Sequence, residues 1–337
     1  MSYVLVKKGS YRNQEIKNKV YPLIKGLCHG ANGKFVTVNS DGNKIRVKVA
    51  GRQDVEKVSE TLYNRQQVNE QELIAEKPRV DDATRIKEIG ERFEILDDMT
   101  KALVRGDIRS LIVTGPPGVG KSYGVEEQLN KGSLFGDMAG QKRRFEVVKG
   151  AMTALGLYAK LYQYSAKGDV VVFDDCDSVL LDDLSLNLLK AALDSGKKRM
   201  IYWNAESNKL RAEGIPDSFE FKGSACFITN IKFENVRSKK LQDHLEALMS
   251  RSHYLDLTLD TMRDKILRIK QIAQNGVLFS DYDFSEQSKQ EILDFIEENC
   301  NKFREVSLRM ALKVADLMKI SANNWKALAQ STCMKRL

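Results

Sequence analysis

Gly115-Pro116-Pro117-Gly118-Val119-Gly120-Lys121-Ser122 has the spacing G-x-x-x-x-G-K-S, which is that of a P-loop. The spacing has meaning only between a strand and a helix, and both flanks read that way. Ser110-Leu111-Ile112-Val113-Thr114 is a short apolar run suited to a buried strand, and Tyr123 to Asn130 reads as a helix. Glycines in the loop let backbone N–H groups turn toward one point, a nest for phosphate oxygens. The start of the helix adds its positive dipole end. Lys121 is long enough to reach β- and γ-phosphates, and the Ser122 hydroxyl can ligate Mg2+. The candidate nucleotide contacts are therefore Gly115, Pro116, Pro117, Gly118, Val119, Gly120, Lys121, Ser122 and Tyr123.

A second run completes the first. Asp169-Val170-Val171-Val172-Phe173-Asp174-Asp175 holds an apolar run that ends in two acids, the Walker B pattern. Such a run is a parallel strand buried on both faces, and its carboxyl end faces the bound phosphates. Asp174 is set to hold Mg2+ through water, and Asp175 to orient or activate the attacking water. Ala225-Cys226-Phe227-Ile228-Thr229-Asn230 is a third apolar strand with a polar end. Arg144 to Val148, Arg199 to Trp203 and Tyr254 to Leu257 read as further strands. The spacing of apolar residues predicts helices over 86–99, 155–164, 182–193 and 241–249, and Ile215 to Phe221 reads as a turn. The last 80 or so residues carry helical spacing over 262–274, 287–299 and 306–320, with a short helix near Trp325.

The chain has 337 residues and a net charge of +8, and that charge is unevenly placed. Residues 1–52 hold eleven Lys or Arg against Glu15 and Asp41, a net +9, so the remainder is nearly neutral. A basic module joined to a balanced one points to nucleic acid or another acidic partner. Within it, Lys34 to Val38 and Lys44 to Val49 alternate about Asp41-Gly42, a hairpin signal. Tyr3 to Val6, Lys19 to Tyr21 and Leu23-Ile24 add further strands, enough for a small barrel of the SH3 kind. The run V-x-V-K-K-G-S-Y-R-N-x-x-x-K-N-K-V resembles the KOW motif of RNA-binding and transcription proteins, with Gly9 and Val20 in place and Asn13 where a second glycine is usual. The barrel can serve nucleic-acid contact or protein docking. Residues 56–82, polar and containing Pro78, read as a helix-containing linker. No apolar run approaches 18 residues and no secretory h-region opens the chain, so the expectation is a soluble, cytoplasmic protein with no membrane partner. Cys28, Cys176, Cys226, Cys300 and Cys333 are odd in number and form no C-x-x-C pair, so neither a zinc site nor a disulfide framework is indicated. Cys176 and Cys226, beside the nucleotide motifs, read as small core residues.

The ordered set of P-loop, Walker B strand, strand ending in Thr229-Asn230, arginine after a helix and helical tail resembles the AAA+ ATPases over about residues 83–325. The run 171–180 with 187–195 is similar to AAA+ proteins of tailed bacteriophages, which would set the protein to work in an infected host cytoplasm. The resemblance implies an α/β fold class: an AAA+ P-loop core with a parallel sheet over 83–258 and a helical lid over 259–337, preceded by the barrel over 1–55. It implies ATP and Mg2+ as cofactors and a homo-oligomeric ring, a hexamer. It identifies Asn230 with sensor 1 and Arg251 with an arginine finger acting on the neighbouring subunit's nucleotide. Arg309 is identified with sensor 2, Arg304 being the alternative. The second Walker B acid of the family is usually Glu. Aspartate at 175 is shorter by one bond, about 1–1.5 Å, and misplacement on that scale costs about 100-fold in rate. Either the strand sits closer to the phosphates or turnover is slow. No aromatic-apolar-glycine pore loop occupies a convincing position; Gly150 to Tyr158 comes nearest. An ATP-driven remodeller or mover of a macromolecular client and a nucleic-acid loader acting as a slow switch both remain open. A ring that binds nucleotide without turnover is disfavoured by Asn230 and Arg251.

Overall fold

The computed structural model describes residues 2–11, 14–30, 33–40, 43–60, 63, 81–138, 144–236 and 238–335. Most of the expected helix-containing linker over 56–82 (61–62 and 64–80), the hairpin tip at Asp41-Gly42, Arg12-Asn13 of the KOW-like run and Arg237 lie outside them. The chain divides into two compact units, Met1–Val80 and Asp81–Leu337.

The first unit is antiparallel. Its strands are β1 (Tyr3–Tyr11), β2 (Gln14–Gly30), β3 (Gly33–Ser40), β4 (Asn43–Val49) and β5 (Val55–Val58). β1 pairs with β2, β2 with β3, β3 with β4, and β4 returns to β1 through Ser10↔Lys48. The ladder therefore closes on itself, and β5 adds along β1. The two short strands expected over 19–24 are one 17-residue strand. Its first part pairs with β1 and its second with β3, and register shifts between Leu23, Lys25 and Cys28 bend it from one partner to the other. Val4, Val6, Val36, Val38, Val47 and Val49 point into one small core. On β4 the alternate residues Lys44, Arg46 and Lys48 are exposed, as a period of two requires.

The second unit opens with α1 (Asp82–Arg105), capped by the Asp81 carboxylate, which accepts from the Thr84 N–H at 2.8 Å, and ended by Gly106 at φ 76°. Five parallel strands follow: β6 (Ser110–Thr114), β7 (Phe145–Lys149), β8 (Val170–Asp174), β11 (Ser224–Thr229) and β12 (His253–Asp256), in the spatial order β12-β6-β11-β8-β7. Between them run α2 (Lys121–Met138), α3 (Ala154–Gln163), α4 (Asp177–Leu181), α5 (Asp183–Ala192), α6 (Asn208–Ala212) and α7 (Lys239–Met249). The apolar strands are continuous because both faces are covered. Ile112, Val171, Phe173, Ala225 and Phe227 face α3 to α7, while Leu111, Val113, Val170, Val172, Cys226 and Ile228 face α1 and α2.

One sequence expectation changes, and one weak candidate is placed. The segment 215–221, read as a turn, contains β10 (Ser218–Glu220), which pairs antiparallel with β9 (Met200–Tyr202) as a separate two-stranded sheet. The segment that comes nearest a pore loop in sequence, 150–158, sends Leu157 and Tyr158 into the core, with Tyr158 Oη donating to the Pro216 carbonyl at 2.8 Å; neither can touch a client. After the sheet come α8 (Met262–Gln274), α9 (Glu286–Glu298), α10 (Leu308–Ile320) and α11 (Trp325–Cys333), packed around their own apolar core. The α/β class, the parallel sheet, the helical tail and the preceding antiparallel β region are as the sequence implies. Among the described residues no helix is long and apolar enough to cross a membrane.

Candidate functional site

Register brings the motifs to one edge. Thr114 pairs with Thr229, Ile228 with Asp174, and Lys149 with Asp174, so β6, β11, β8 and β7 end side by side. The P-loop leaves β6 at that edge, Asn230 leaves the strand between β6 and β8, and Asp174 closes β8. A cleft of about 680 Å³ opens there, lined by Pro117, Gly118, Gly120 to Tyr123, Asp174, Asp175 and Asn230, by α1, and by Arg268, Gln271 and Arg309 of the helical tail. Gly118 sits at φ 73°, and a Cβ on it would lie 2.8 Å from Ser307 Cβ. The Leu308 N–H donates to the Gly118 carbonyl at 2.9 Å. The helical tail is thereby fastened to the loop itself. Val119 is in the core, and Tyr123 is exposed at the mouth.

Lys121 is buried, and its ammonium donates to the Gly115 carbonyl (2.7 Å), the Pro116 carbonyl (2.9 Å) and Asn230 Oδ1 (2.8 Å). All three acceptors are neutral. Burial pushes the amine down to about 8, against the pull of Asp175 and Asp174, with Arg309 adding to the depression. A phosphate would supply the missing counter-charge. Asn230 holds a second group: its Nδ2 donates to Asp175 Oδ1 at 2.9 Å. Lys can only donate and a carboxylate accepts, so these two partners fix the amide's orientation. Asp175 itself stands at φ 52°, a left-handed conformation uncommon for a residue with a side chain.

Ser122 Oγ donates to Asp174 Oδ1 at 2.9 Å. Burial pushes the Asp174 carboxyl upward, opposed by the Ser122 bond and by Lys149, whose Nζ stands 3.6 Å from Oδ2. Two hard oxygen donors at a phosphate-binding loop suit Mg2+, which keeps several waters and takes phosphate oxygens. Among the described residues no group of three or more His, Cys, Asp or Glu is set to hold a metal, so a cation here would draw its other ligands from water and phosphate.

The predicted arginines separate. Arg309 lines this cleft; Arg304 does not, its Nε donating to the Met334 carbonyl at 3.1 Å. Arg251 lies elsewhere, in a cleft of about 350 Å³ with Arg109, Leu193, Ser195 and Ser250. Its Nη1 donates to the Ala247 carbonyl at 2.7 Å, and its Nε is buried with no partner among the described residues. Cys176 and Cys226 are buried, as their core reading requires, and burial pushes the Cys176 thiol up to about 11. Sequence reasoning missed Arg268 of α8, which stacks on Phe93 of α1 in the nucleotide cleft. An arginine within an amphipathic helix carries no signal of that placement.

No protein-family model matches the chain. Among solved structures, a replication initiator DnaA bound to AMPPCP and single-stranded DNA is similar at 13% identity and TM-score 0.36, over 68% of this chain and 60% of that one. The Aeropyrum pernix ORC2 protein in its ADP form is similar at 14% identity and TM-score 0.41, over 72% and 68%. At the level of sequence, 333 residues align at 33% identity with the "Uncharacterized 36.7 kDa protein in nrdC-mobD intergenic region" of Enterobacteria phage T4, covering 98% of this chain and 97% of that protein. With that identity running nearly end to end, the chain belongs to the family of this phage protein.

Proposed function

We propose that the protein is a Mg2+-dependent AAA+ ATPase that binds and hydrolyses ATP as a ring-shaped homo-oligomer and uses the cycle to remodel or move a macromolecular client. One observation carries the reading. The buried Lys121 ammonium is bonded only to neutral acceptors, between a P-loop and the Ser122–Asp174 pair. ATP with Mg2+ supplies both the anion and the cation that this arrangement lacks. Asn230 and Arg309 would meet the terminal phosphates as sensors, and Arg251 would serve the adjoining subunit. Its position in a cleft apart from its own P-loop supports that division. A ring of six follows from the AAA+ resemblance alone. The working division is a basic SH3-like, KOW-like barrel over 1–55, a linker over 56–82, an AAA+ core over 83–258 and a lid over 259–337. The barrel's exposed Lys44, Arg46 and Lys48 support nucleic acid as its partner over a protein.

A second reading, a loader or assembly switch with slow turnover, is favoured by Asp175. Its short carboxylate is tied to Asn230 and its backbone is left-handed, so it must be released before it can orient water. The test is the ATPase rate with no nucleic acid and with single-stranded DNA, duplex DNA or RNA, across a salt series. Stimulation that fades with salt is the expected result, because phosphate contacts release counterions. No stimulation by any of the three would move the client to protein. No hydrolysis, with ATP still bound, would leave the switch.

A further inference from the structure

Arg268 is a buried cation of the helical tail. It projects from α8 into the nucleotide cleft and is 7% exposed. Its Cζ lies 3.3 Å from the centroid of the Phe93 ring, so one face of the guanidinium is covered. Nη1 donates to Gln271 Oε1 at 2.7 Å. Nε is buried with no partner among the described residues. Nη2 reaches the P-loop, 3.7 Å from where a Cβ on Gly120 would stand. No carboxylate forms an ion pair with it among the described residues; Asp97 acts on it only from a distance. A guanidinium cannot shed its proton to escape burial, and leaving a buried charge unpaired is strongly unfavourable. Packing on Phe93 accounts for its covered face and not for the unmet charge. Burial draws its pKa down to about 10, the direction of a cation without its anion.

We infer that Arg268 is a phosphate ligand of the bound nucleotide, reaching from the helical tail to the phosphate beside Gly120, at the start of α2. This rests on the nucleotide-binding reading and deepens it. A neutral base could accept a hydrogen bond from Nε but could not neutralise the charge. An anion beside Gly120 does both, and meets the α2 N-terminus as well. Phe93 and Gln271 then hold the guanidinium plane, leaving Nε and Nη2 for the ligand. The contact would also tie α8 to the nucleotide, so the helical tail would register whether phosphate is present.

The test is displacement of a fluorescent ADP analogue from the full-length protein by ADP and by inorganic pyrophosphate, without Mg2+. Wild type, R268Q and R268K are compared, with circular dichroism to check folding. Charge-assisted hydrogen bonds of this kind predict that R268Q weakens ADP and pyrophosphate alike, by about 10- to 100-fold. R268K, which keeps the charge without the fork, should recover part of both. Weaker ADP with unchanged pyrophosphate would assign Arg268 to the base or to packing and overturn the inference. So would unchanged affinity for both. A wild-type protein that binds neither would overturn the nucleotide reading beneath it.

Discussion

Two clefts of the Asp81–Leu337 unit each hold an arginine whose buried Nε has no partner, Arg268 in one and Arg251 in the other. Their surroundings differ. The Arg268 cleft also has Lys121, Asp174, Asp175 and Asn230, so it can take an anion together with its metal. The Arg251 cleft is lined by Arg109, Leu193, Ser195, Ser250 and Arg251, with no carboxylate. It can meet a phosphate but cannot hold the metal that accompanies one. The second cleft therefore complements the first and does not duplicate it. Two such surfaces on one chain make sense when copies meet head to tail, each completing the other's site. Under the proposed ring, the unmet Nε atoms would belong to the two halves of one site.

The largest effect should come from emptying the second cleft. An arginine delivered to a transferring phosphate contributes about 10³–10⁵ in rate and adds little to ground-state binding. Arg251→Ala should lose hydrolysis on that scale while its affinity for ADP stays at the wild-type value. Mixing it with Lys121→Ala, whose own arginine is intact, should restore part of the activity at mixed interfaces. If Arg251→Ala turns over ATP like wild type, the clefts are unrelated and the head-to-tail arrangement fails.

A smaller effect should follow from disturbing the fastening of the first cleft. Gly118→Ala puts a methyl 2.8 Å from Ser307 Cβ at a residue held at φ 73°. The left-handed backbone alone costs about 1–2 kcal/mol with a side chain, so nucleotide affinity should fall about tenfold or more as the tail lifts from the loop. Arg251-dependent chemistry per bound ATP should be less affected. Unchanged affinity by calorimetry would mean that the loop and tail are not coupled.

The pH dependence tests the same cleft without a mutation. Lys121 titrates near 8 in the folded protein and near about 10.4 unfolded. Between those values the unfolded chain binds more protons, so the stability of the ligand-free protein should rise with pH from about 8 to about 10. Below 8 both states are protonated and the dependence from this group vanishes. Phosphate needs the charged amine, so ADP affinity should move the other way, falling about tenfold from pH 7 to pH 9 as the protonated fraction falls. Lys121→Ala should bind weakly and lose that slope; an equal slope in the variant would assign the titration to another group.

Much of this was legible in the sequence. β6, β8 and β11 read as strands because a strand covered on both faces must be apolar throughout. The P-loop and Asp174 read as one site because parallel strands end together. The end of α2 was less legible. Asn130-Lys131-Gly132-Ser133 looks like a helix stop, yet the helix continues to Met138. Gly132 lies where a Cβ would come 3.3 Å from Val104 Cγ1, and Gly124 where one would come 3.1 Å from Leu96 Cδ2. Those glycines let α2 approach α1 closely; they do not end it. β10 was hidden because three residues after a proline carry no period, and its partner β9 is supplied by tertiary structure. Arg268 was hidden for the same reason: its meaning lies in Phe93, which is 175 positions away in the chain.

The smallest expected effect belongs to the first unit, where charge is arranged in the opposite way. Lys48 is exposed on β4 while Val47 and Val49 on either side of it are buried. The contribution of a solvated lysine of this kind to a polyanion would come through counterion release. Each phosphate contact adds about 0.9 to the slope of log affinity against log salt on duplex DNA. Lys48→Gln should therefore lower that slope by about 0.9 and weaken binding by only a few-fold at moderate salt, leaving ADP affinity unchanged. The cleft arginines, Arg268 buried and Arg251 half-buried, should behave otherwise, with effects on nucleotide that salt screens less. A Lys48→Gln protein with the wild-type slope would remove Lys48 from the polyanion surface. An equal loss of slope in the Arg251→Ala protein would break the contrast between the cleft arginines and the exposed charge of the first unit.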